Sequence, residues 1–393
     1  MVNPRNAPPG APTIGMVLSG GAARGAYQAG VLRYLFRTLP KELGFAPWPQ
    51  VVSGTSVGAL NGLFAVARSE LHLVYLSKVW RNLRIPEVFT LHYGDLFGAL
   101  RGRWRGGPGA ALLDPSPLYK LVEGLFPHEA ARRAIDSGDC RAFVVSATEL
   151  SSGHNVLFVD TADSTLDLAP LPRSRVVGER IVPRHLLASA ALPFLFPPIE
   201  VGGRAYVDGG LRQNTPLHPI LHAGAQKVLL IGAHSLAEEE PPAGESVVPT
   251  LPFLAGKSMN ALMADPVERD LTTASRLNRI LEWGERTYGP EFLVKAEAEL
   301  DLRKVQIHTI RPSLDLGRMA AEAYHRSPPA DAPNLRWLLS MLADRPNGAS
   351  SDSDLLSYLY FDRSFTAEAE DLGWKDSEAQ KDALLQFFSV GAP

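Results

Sequence analysis

The sequence predicts an α/β fold: a mainly parallel sheet with helices packed on its faces. Three observations point there. Two strand–turn–helix units fall within the first 70 residues, each an apolar run that ends in small residues and continues at helical spacing. A further buried-type strand, Lys227–Gly232, follows another helical stretch. The composition, 45% apolar and 21% charged over 393 residues, supplies a large core and excludes intrinsic disorder.

Taken in order, Met1–Thr13 is rich in Pro, Gly and Asn, lacks an apolar signal-peptide core and reads as a flexible leader. Ile14–Leu18 is the first strand, Ser19-Gly20-Gly21-Ala22-Ala23-Arg24-Gly25 a glycine-rich loop, and Ala26 to about Leu39 a helix. Val51-Val52 is the second strand. It enters the turn Gly54-Thr55-Ser56-Val57-Gly58 and the helix Ala59–Arg68. Residues 94–117, broken by Gly, Pro and Arg, read as one long loop. Ala142–Thr148 and Asn155–Asp160 form a hairpin around Ser151-Ser152-Gly153-His154. Ile199–Val201 and Arg204–Val207 form another around Gly202-Gly203, with Asp208-Gly209-Gly210 at its exit. A helix over about Pro216–Ala223 precedes Lys227–Gly232. Glu238–Pro252 reads as an acidic, Pro-rich loop, and helical patterns then dominate, interrupted by the strand Val305–Ile310 and by linkers at Pro328–Pro333 and Asn347–Asp354. The expected organisation is a flexible 1–13, a catalytic domain over 14–235 and a mostly helical region over 236–393.

Several function classes drop out. With Cys140 as its one cysteine, the chain has no internal disulfide framework and no Cys-rich zinc site, and its use of cysteine fits a cytoplasmic setting. A formal net charge of −3 gives no reason to expect nucleic acid. No apolar run reaches the length that spans a bilayer. No cluster has metal-ligand spacing, and no metal or cofactor is expected. The charge is unevenly spread: residues 1–110 hold 12 Lys/Arg against 4 Asp/Glu, and residues 351–393 hold 9 acids against 3 bases. This is either ordinary solvated surface with an acidic tail, or a first third that faces an anionic surface. The stretch Arg101-Gly-Arg103-Trp104-Arg105 pairs cations with an indole and suits a lipid–water boundary, though an incidental surface loop has the same composition.

The glycine loop fails both phosphate-binding patterns. Counting from Gly20, the middle glycine of a dinucleotide fingerprint is Ala22, and Gly25 is not followed by the Lys of a P-loop. It is then either a set of amides at a helix N-terminus that stabilise a negative oxygen, or a packing loop of small residues. Gly54-Thr-Ser56-Val-Gly58 fits a nucleophile elbow, in which the two glycines permit a sharp strand-to-helix turn that projects the serine. The pattern alone is moderately specific, with roughly 0.2 chance matches expected in a chain of this composition. A serine hydroxyl needs a base. Chain order allows a triad of Ser56 and Asp208 with His218, His222 or His234, and it equally allows Asp208 alone to take the proton.

In that order, Gly20-Gly21-Ala22-Ala23-Arg24-Gly25, Gly54-Thr-Ser56-Val-Gly58 and Asp208-Gly209-Gly210 resemble the patatin-like phospholipases. So do Ala147–Leu150, Ala188–Pro193 and Asp208–Pro216 with Asn214. The resemblance runs from about Ile14 to Gly232. It implies a three-layer α/β/α fold and a serine lipid acyl hydrolase that works through a Ser–Asp dyad without a catalytic histidine. Ser56 would be the nucleophile, Asp208 the base, and the amides of Gly20, Gly21 and Ala22 the oxyanion hole. Arg24 would order the loop, and Gly25, Gly54, Gly58, Gly209 and Gly210 would support loop and elbow. Ala22 stands where the family usually has a third glycine, which leaves the amide in place. The implied partners are a lipid ester and a peripheral membrane surface. Two other readings stay open at this point. One is a signal-gated effector with little basal activity; the other is a Ser-His-Asp α/β-hydrolase.

Overall fold

In the computed structural model, residues 12–91, 111, 113–166, 168, 172–235, 251–300, 302–343 and 354–389 are described. Strands β1 (Ile14–Leu18), β2 (Val51–Thr55) and β5 (Ala142–Glu149) lie side by side and parallel. On the far side of β1, β10 (Lys227–Ile231) and then β11 (Gln306–Ile310) extend the sheet, again parallel. Beyond β5 come β6 (Asn155–Asp160), antiparallel, and β7 (Ser174–Gly178). The order is β11-β10-β1-β2-β5-β6-β7, with β9 (Arg204–Asp208) paired to β5 and β8 (Ile199–Val201) paired to β9. Two short strands, β3 (Thr90–Leu91) and β4 (Leu113–Asp114), make a separate pair.

The central strands β1, β2 and β5 are buried at every position because both faces of the sheet are covered. Met16 and Leu18 point into one core, which they share with α1 (Gly25–Arg33), α3 (Val57–Val66) and α4 (Glu70–Asn82). Val17, between them, points into the other core, with Leu217 and Ile220 of a short helix, Leu217–His222. Alternation along single strands thus gives three layers, as expected for this fold class.

Two local readings change. Residues 94–117 do not form one loop to their end, since β4 and the helix Ser116–Leu125 occupy 113–125; the apolar spacing of Leu118, Leu121, Val122 and Leu125 outweighs the flanking prolines. The first helix does not run uniformly to Leu39: α1 passes into a π-helical turn over Tyr34–Thr38. The strand expected at Val305–Ile310 is present as β11 and forms the edge of the sheet. The acidic stretch 238–250 lies outside the described residues.

The C-terminal helices pack on the same face as α1. There α14 (Arg363–Ala379) crosses α1 at two glycines: a Cβ at Gly30 would run into the Glu370 carbonyl, and one at Gly373 into the Tyr27 carbonyl. Polar groups join the two elements as well. Buried Glu370 accepts from Ser77 and pairs with Arg33 and Arg81, and Asp371 pairs with the same two arginines. Part of the acidic tail is therefore spent neutralising bases of the first third inside the molecule, not at an external surface. Gly30→Ala would gain about 1 kcal/mol of helix propensity. Main chain cannot yield as a side chain can, however, and overpacking costs about 1–3 kcal/mol. A net loss of up to about 2 kcal/mol is expected, read as a lower urea midpoint at unchanged slope; higher stability would show that the two helices separate freely.

Candidate active site

β1 and β2 are adjacent and parallel, with Leu18 opposite Gly54, so the segments that leave their C-terminal ends emerge side by side. This is where open parallel sheets place their sites. After β1 comes the glycine loop. After β2 the chain turns at Ser56, whose φ of 55° and ψ of −128° are the strained geometry of an elbow, and enters α3 at once. Glycine is required on both sides of this turn. A side chain on Gly54 would meet the Gly58 main chain, and one on Gly58 would meet the carbonyls of Leu18 and Ser19. Hydroxyls fix the turn from below. Ser189 Oγ accepts from the Ser56 N–H at 2.7 Å and donates to Ser146 O at 2.6 Å, and Thr55 Oγ1 donates to Gln213 O at 2.8 Å.

Strand register brings the second residue in. β6 occupies one side of β5 as far as Thr148, so β9 must pair on the side that β2 vacates at the elbow. Thr55, the last residue of β2, lies opposite Ser146; Asp208, the last of β9, lies opposite Ala147. The row that β2 leaves is taken up by Asp208 one position on, which sets its carboxylate beside Ser56. Gly210 N–H donates to Oδ1 at 2.7 Å, the Asp208 N–H donates to Ala191 O at 2.8 Å, and Thr148 Oγ1 donates to Asp208 O at 3.0 Å. Gly209 is held so close to Ser146 O that a Cβ would overlap it. Oδ2 is buried and accepts no hydrogen bond among the described residues, and the Ser56 hydroxyl is close enough to act on the carboxyl group.

Both groups are nearly sealed, Ser56 at 2% and Asp208 at 1% exposure. Burial pushes the Asp208 carboxyl up to about 6, against the opposing effects of the Ser56 hydroxyl and the Gly210 amide. Its hydrogen-bond partners among the described residues include no histidine. His218 and His222 pack against each other with tilted rings, centroids 4.1 Å apart, and burial together with His222 lowers His218 to about 4. His234 Nε2 lies 2.7 Å from the Tyr358 hydroxyl, and burial drives its pKa far down.

The glycine loop faces Ser56, and a Cβ on Gly20 would lie 3.3 Å from the Ser56 Cβ. Its three amides are not equivalent. The Gly20 N–H already donates to Asn214 O at 3.1 Å, whereas those of Gly21 and Ala22 donate to no group among the described residues. Ala22 sits at φ 48° as the start of a short 3-10 turn closed by the Arg24 N–H on Gly21 O at 3.0 Å. Gly25 is needed to clear Val57. Arg24 is buried and turned away from Ser56: its guanidinium pairs with Asp354 at 2.9 Å, donates to Ser357 Oγ at 2.8 Å and lies 4.2 Å over the Tyr358 ring.

An apolar cavity has Ser56 and Ala22 in its wall and Leu60, Phe64, Trp80, Leu118, Phe196 and Phe361 around it, a lining typical of small-molecule sites. Asn61 is its chief polar wall residue. Its Nδ2 donates to Gly25 O and Gln28 Oε1, its Oδ1 accepts from Trp80 Nε1, and Gln28 Nε2 donates to Ser19 O. Sequence reasoning missed this Gln28–Asn61–Trp80 chain, for which the available signal was two amides set in otherwise apolar helices. It also missed Asp354, Ser357 and Tyr358, which carry no local signal. Arg101, Arg103, Trp104 and Arg105 lie outside the described residues. Among the described residues, no cluster of three His, Cys, Asp or Glu side chains could hold a metal ion, and no helix is long and apolar enough to cross a membrane.

A family model described as patatin-like phospholipase matches residues 16–221. Among curated proteins the chain is 26% identical over 230 residues to a protein named lysophospholipase NTE1 from Mycosarcoma maydis. It is also 26% identical over 229 residues to one of the same name from Cryptococcus neoformans var. neoformans serotype D. These matches take in 58% of this chain but 10% and 12% of the relatives, so the chain spans about a tenth of the length of the curated proteins it matches. Among solved structures, human GIVD cytosolic phospholipase A2 is 13% identical with a TM-score of 0.43, over 96% of this chain and 60% of that one. VipD from Legionella pneumophila is 12% identical with a TM-score of 0.37, over 96% and 69%.

Proposed function

Because the chain belongs to the patatin-like phospholipase family, we propose that it is a serine lipid acyl hydrolase of phospholipase A or esterase type, working through Ser56 and Asp208. The observation that carries this reading is the placement of Ser56: on a left-handed strand-to-helix turn, against a buried carboxylate, in the wall of an apolar cavity.

Ser56 is the nucleophile. Its hydroxyl gives its proton to Asp208 Oδ2 as the oxygen attacks the ester carbonyl, and the tetrahedral oxyanion forms beside the glycine loop. The amides of Gly21 and Ala22 bind that oxygen; Gly20, whose amide is committed to Asn214, shapes the loop. Asp208 then returns the proton to the leaving alcohol, and water activated by the same carboxylate releases the acyl group from Ser56. A carboxylate near its ordinary pKa of about 3.9 is a weak base at neutral pH, and burial improves it. The cavity accepts the acyl chain, and its apolar lining supports a lipid over a polar ester. A peripheral membrane surface is the partner that such a substrate brings with it. We assign residues 14–235 to the catalytic domain, with the mostly helical region 236–393 covering it and adding β11 to the edge of its sheet.

With Asp208 as base, activity requires its ionised form. The kcat/KM for p-nitrophenyl butyrate is therefore expected to rise about tenfold per pH unit below pH 6 and to level off above. A plateau reached only above pH 8 would point to a different base and sink the dyad. Absence of turnover by purified protein without additive, with the fold intact, would favour the signal-gated reading.

A further inference from the structure

The loop that bears the Gly21 and Ala22 amides is held from a distant part of the chain. Ala22, a non-glycine residue at φ 48°, occupies a conformation that persists only where its surroundings over-determine it. Three residues on one face of α13 (Asp354–Leu359) supply that restraint by gripping Arg24: Asp354 by an ion pair, Ser357 by a hydrogen bond to Nε, and Tyr358 by its ring beneath the guanidinium. Ser357 Oγ donates back to Asp354 O at 2.6 Å, which closes the grip on itself. The Tyr358 hydroxyl meets His234 at 2.7 Å, and the neighbouring Ala233 N–H donates to Ser19 Oγ at 3.0 Å, at the other end of the same loop. Ser19, Ala233, His234, Tyr358 and Arg24 thus form a ring of contacts around the loop. Two residues beyond α13, Phe361 lines the cavity.

We propose that α13 is a positioning element for the oxyanion loop: through Arg24, the side chains of Asp354, Ser357 and Tyr358 set the aim of the Gly21 and Ala22 amides and thereby kcat. None of the three lines the cavity. They are positioning residues, and they work only in the transition state, where the oxyanion exists. Loss of their grip should lower kcat and leave substrate binding unchanged, since an interaction made only in the transition state is lost from kcat alone.

The proposal rests on the hydrolase reading above, and the experiment separates the two. Wild type and Ser56→Ala are assayed first on p-nitrophenyl butyrate. An inactive wild type, or Ser56→Ala with wild-type turnover, overturns the hydrolase reading and the positioning role with it. Given an active wild type, Arg24→Lys and Asp354→Asn are expected to lower kcat about 10- to 100-fold, less than the full removal of an oxyanion donor, which is about 100- to 1,000-fold. KM should stay within about 2-fold and the far-ultraviolet dichroism should be unchanged. Ser357→Ala, which removes one oxygen and is safe for the fold, should cost about 3- to 10-fold in kcat, and it decides the matter if Asp354→Asn fails to fold. Lys381→Gln, which breaks only the surface pair with Glu42, is the control and should keep wild-type kcat. A kcat within 2-fold of wild type in Ser357→Ala and in whichever of Arg24→Lys and Asp354→Asn folds, or a change confined to KM, would overturn the proposal.

Discussion

Ser56→Ala is expected to lower kcat/KM by at least about 10⁴-fold while the protein stays folded, because no other group can form the acyl-enzyme. Asp208→Asn is expected to fall by about 10²–10⁴-fold, the usual worth of a positioned base. The two losses are expected not to add, since nucleophile and base act as one unit. Ester turnover, near- and far-ultraviolet dichroism and the mass shift left by a fluorophosphonate probe would check this together. Only wild type should gain the full adduct. Turnover retained in either variant would remove the dyad. If activity instead disappeared in His218→Ala combined with His222→Ala, a triad would replace it, although the two rings pack against each other and Asp208 bonds to neither.

The second large effect concerns stability and runs against the first. In the folded protein burial holds the Asp208 carboxyl near 6, above the ordinary value of 3.8 that an unfolded chain shows. The folded state therefore binds this proton more tightly. That advantage is complete below about pH 4 and is lost as pH rises through 6. Above pH 6 the buried anion opposes folding by about 3 kcal/mol, from roughly two pH units at 1.36 kcal/mol each. Asparagine has no charge to bury, keeps an oxygen for the Gly210 amide, and presents an amide that the Ser56 hydroxyl can accept from. Asp208→Asn is thus expected to raise stability at pH 7 by about 2–3 kcal/mol and to leave it unchanged near pH 4, measured by urea unfolding at the two values. A variant that is less stable at neutral pH would show that the carboxylate is well solvated or better paired than its surroundings indicate. Activity lost where stability is gained is the expected mark of a strained functional group.

How much of this was legible in the sequence follows from the range of the interactions. The glycine loop, the elbow and Asp208-Gly209-Gly210 were readable because each is a local requirement: a backbone angle or a close main-chain approach that only certain residues satisfy. The parallel sheet was readable for a similar reason, in the apolar runs of β1, β2, β5 and β10. What makes Asp208 meet Ser56 was not, since it depends on β9 pairing in the row that β2 leaves, a fact of register between strands some 150 residues apart. Gly20 illustrates the limit. Its amide is like its neighbours' in sequence, and only the approach of Asn214 takes it out of use. The charge asymmetry misled in the same way. Arg24, Arg33 and Arg81 look like part of an exposed basic third until Asp354, Glu370 and Asp371 fold onto them.

That last contact has a consequence in time. Arg24 and Asp354 are 330 positions apart, so at about 5–20 residues per second a ribosome needs roughly 15–65 s to deliver the second after the first. Throughout that interval the nascent chain already carries its elbow serine, but the arginine beside the glycine loop lacks its counter-ion and α1 lacks the helix that covers Gly30. On the hydrolase reading, the site is complete only once residues 354–379 have emerged and packed on the glycine loop and α1.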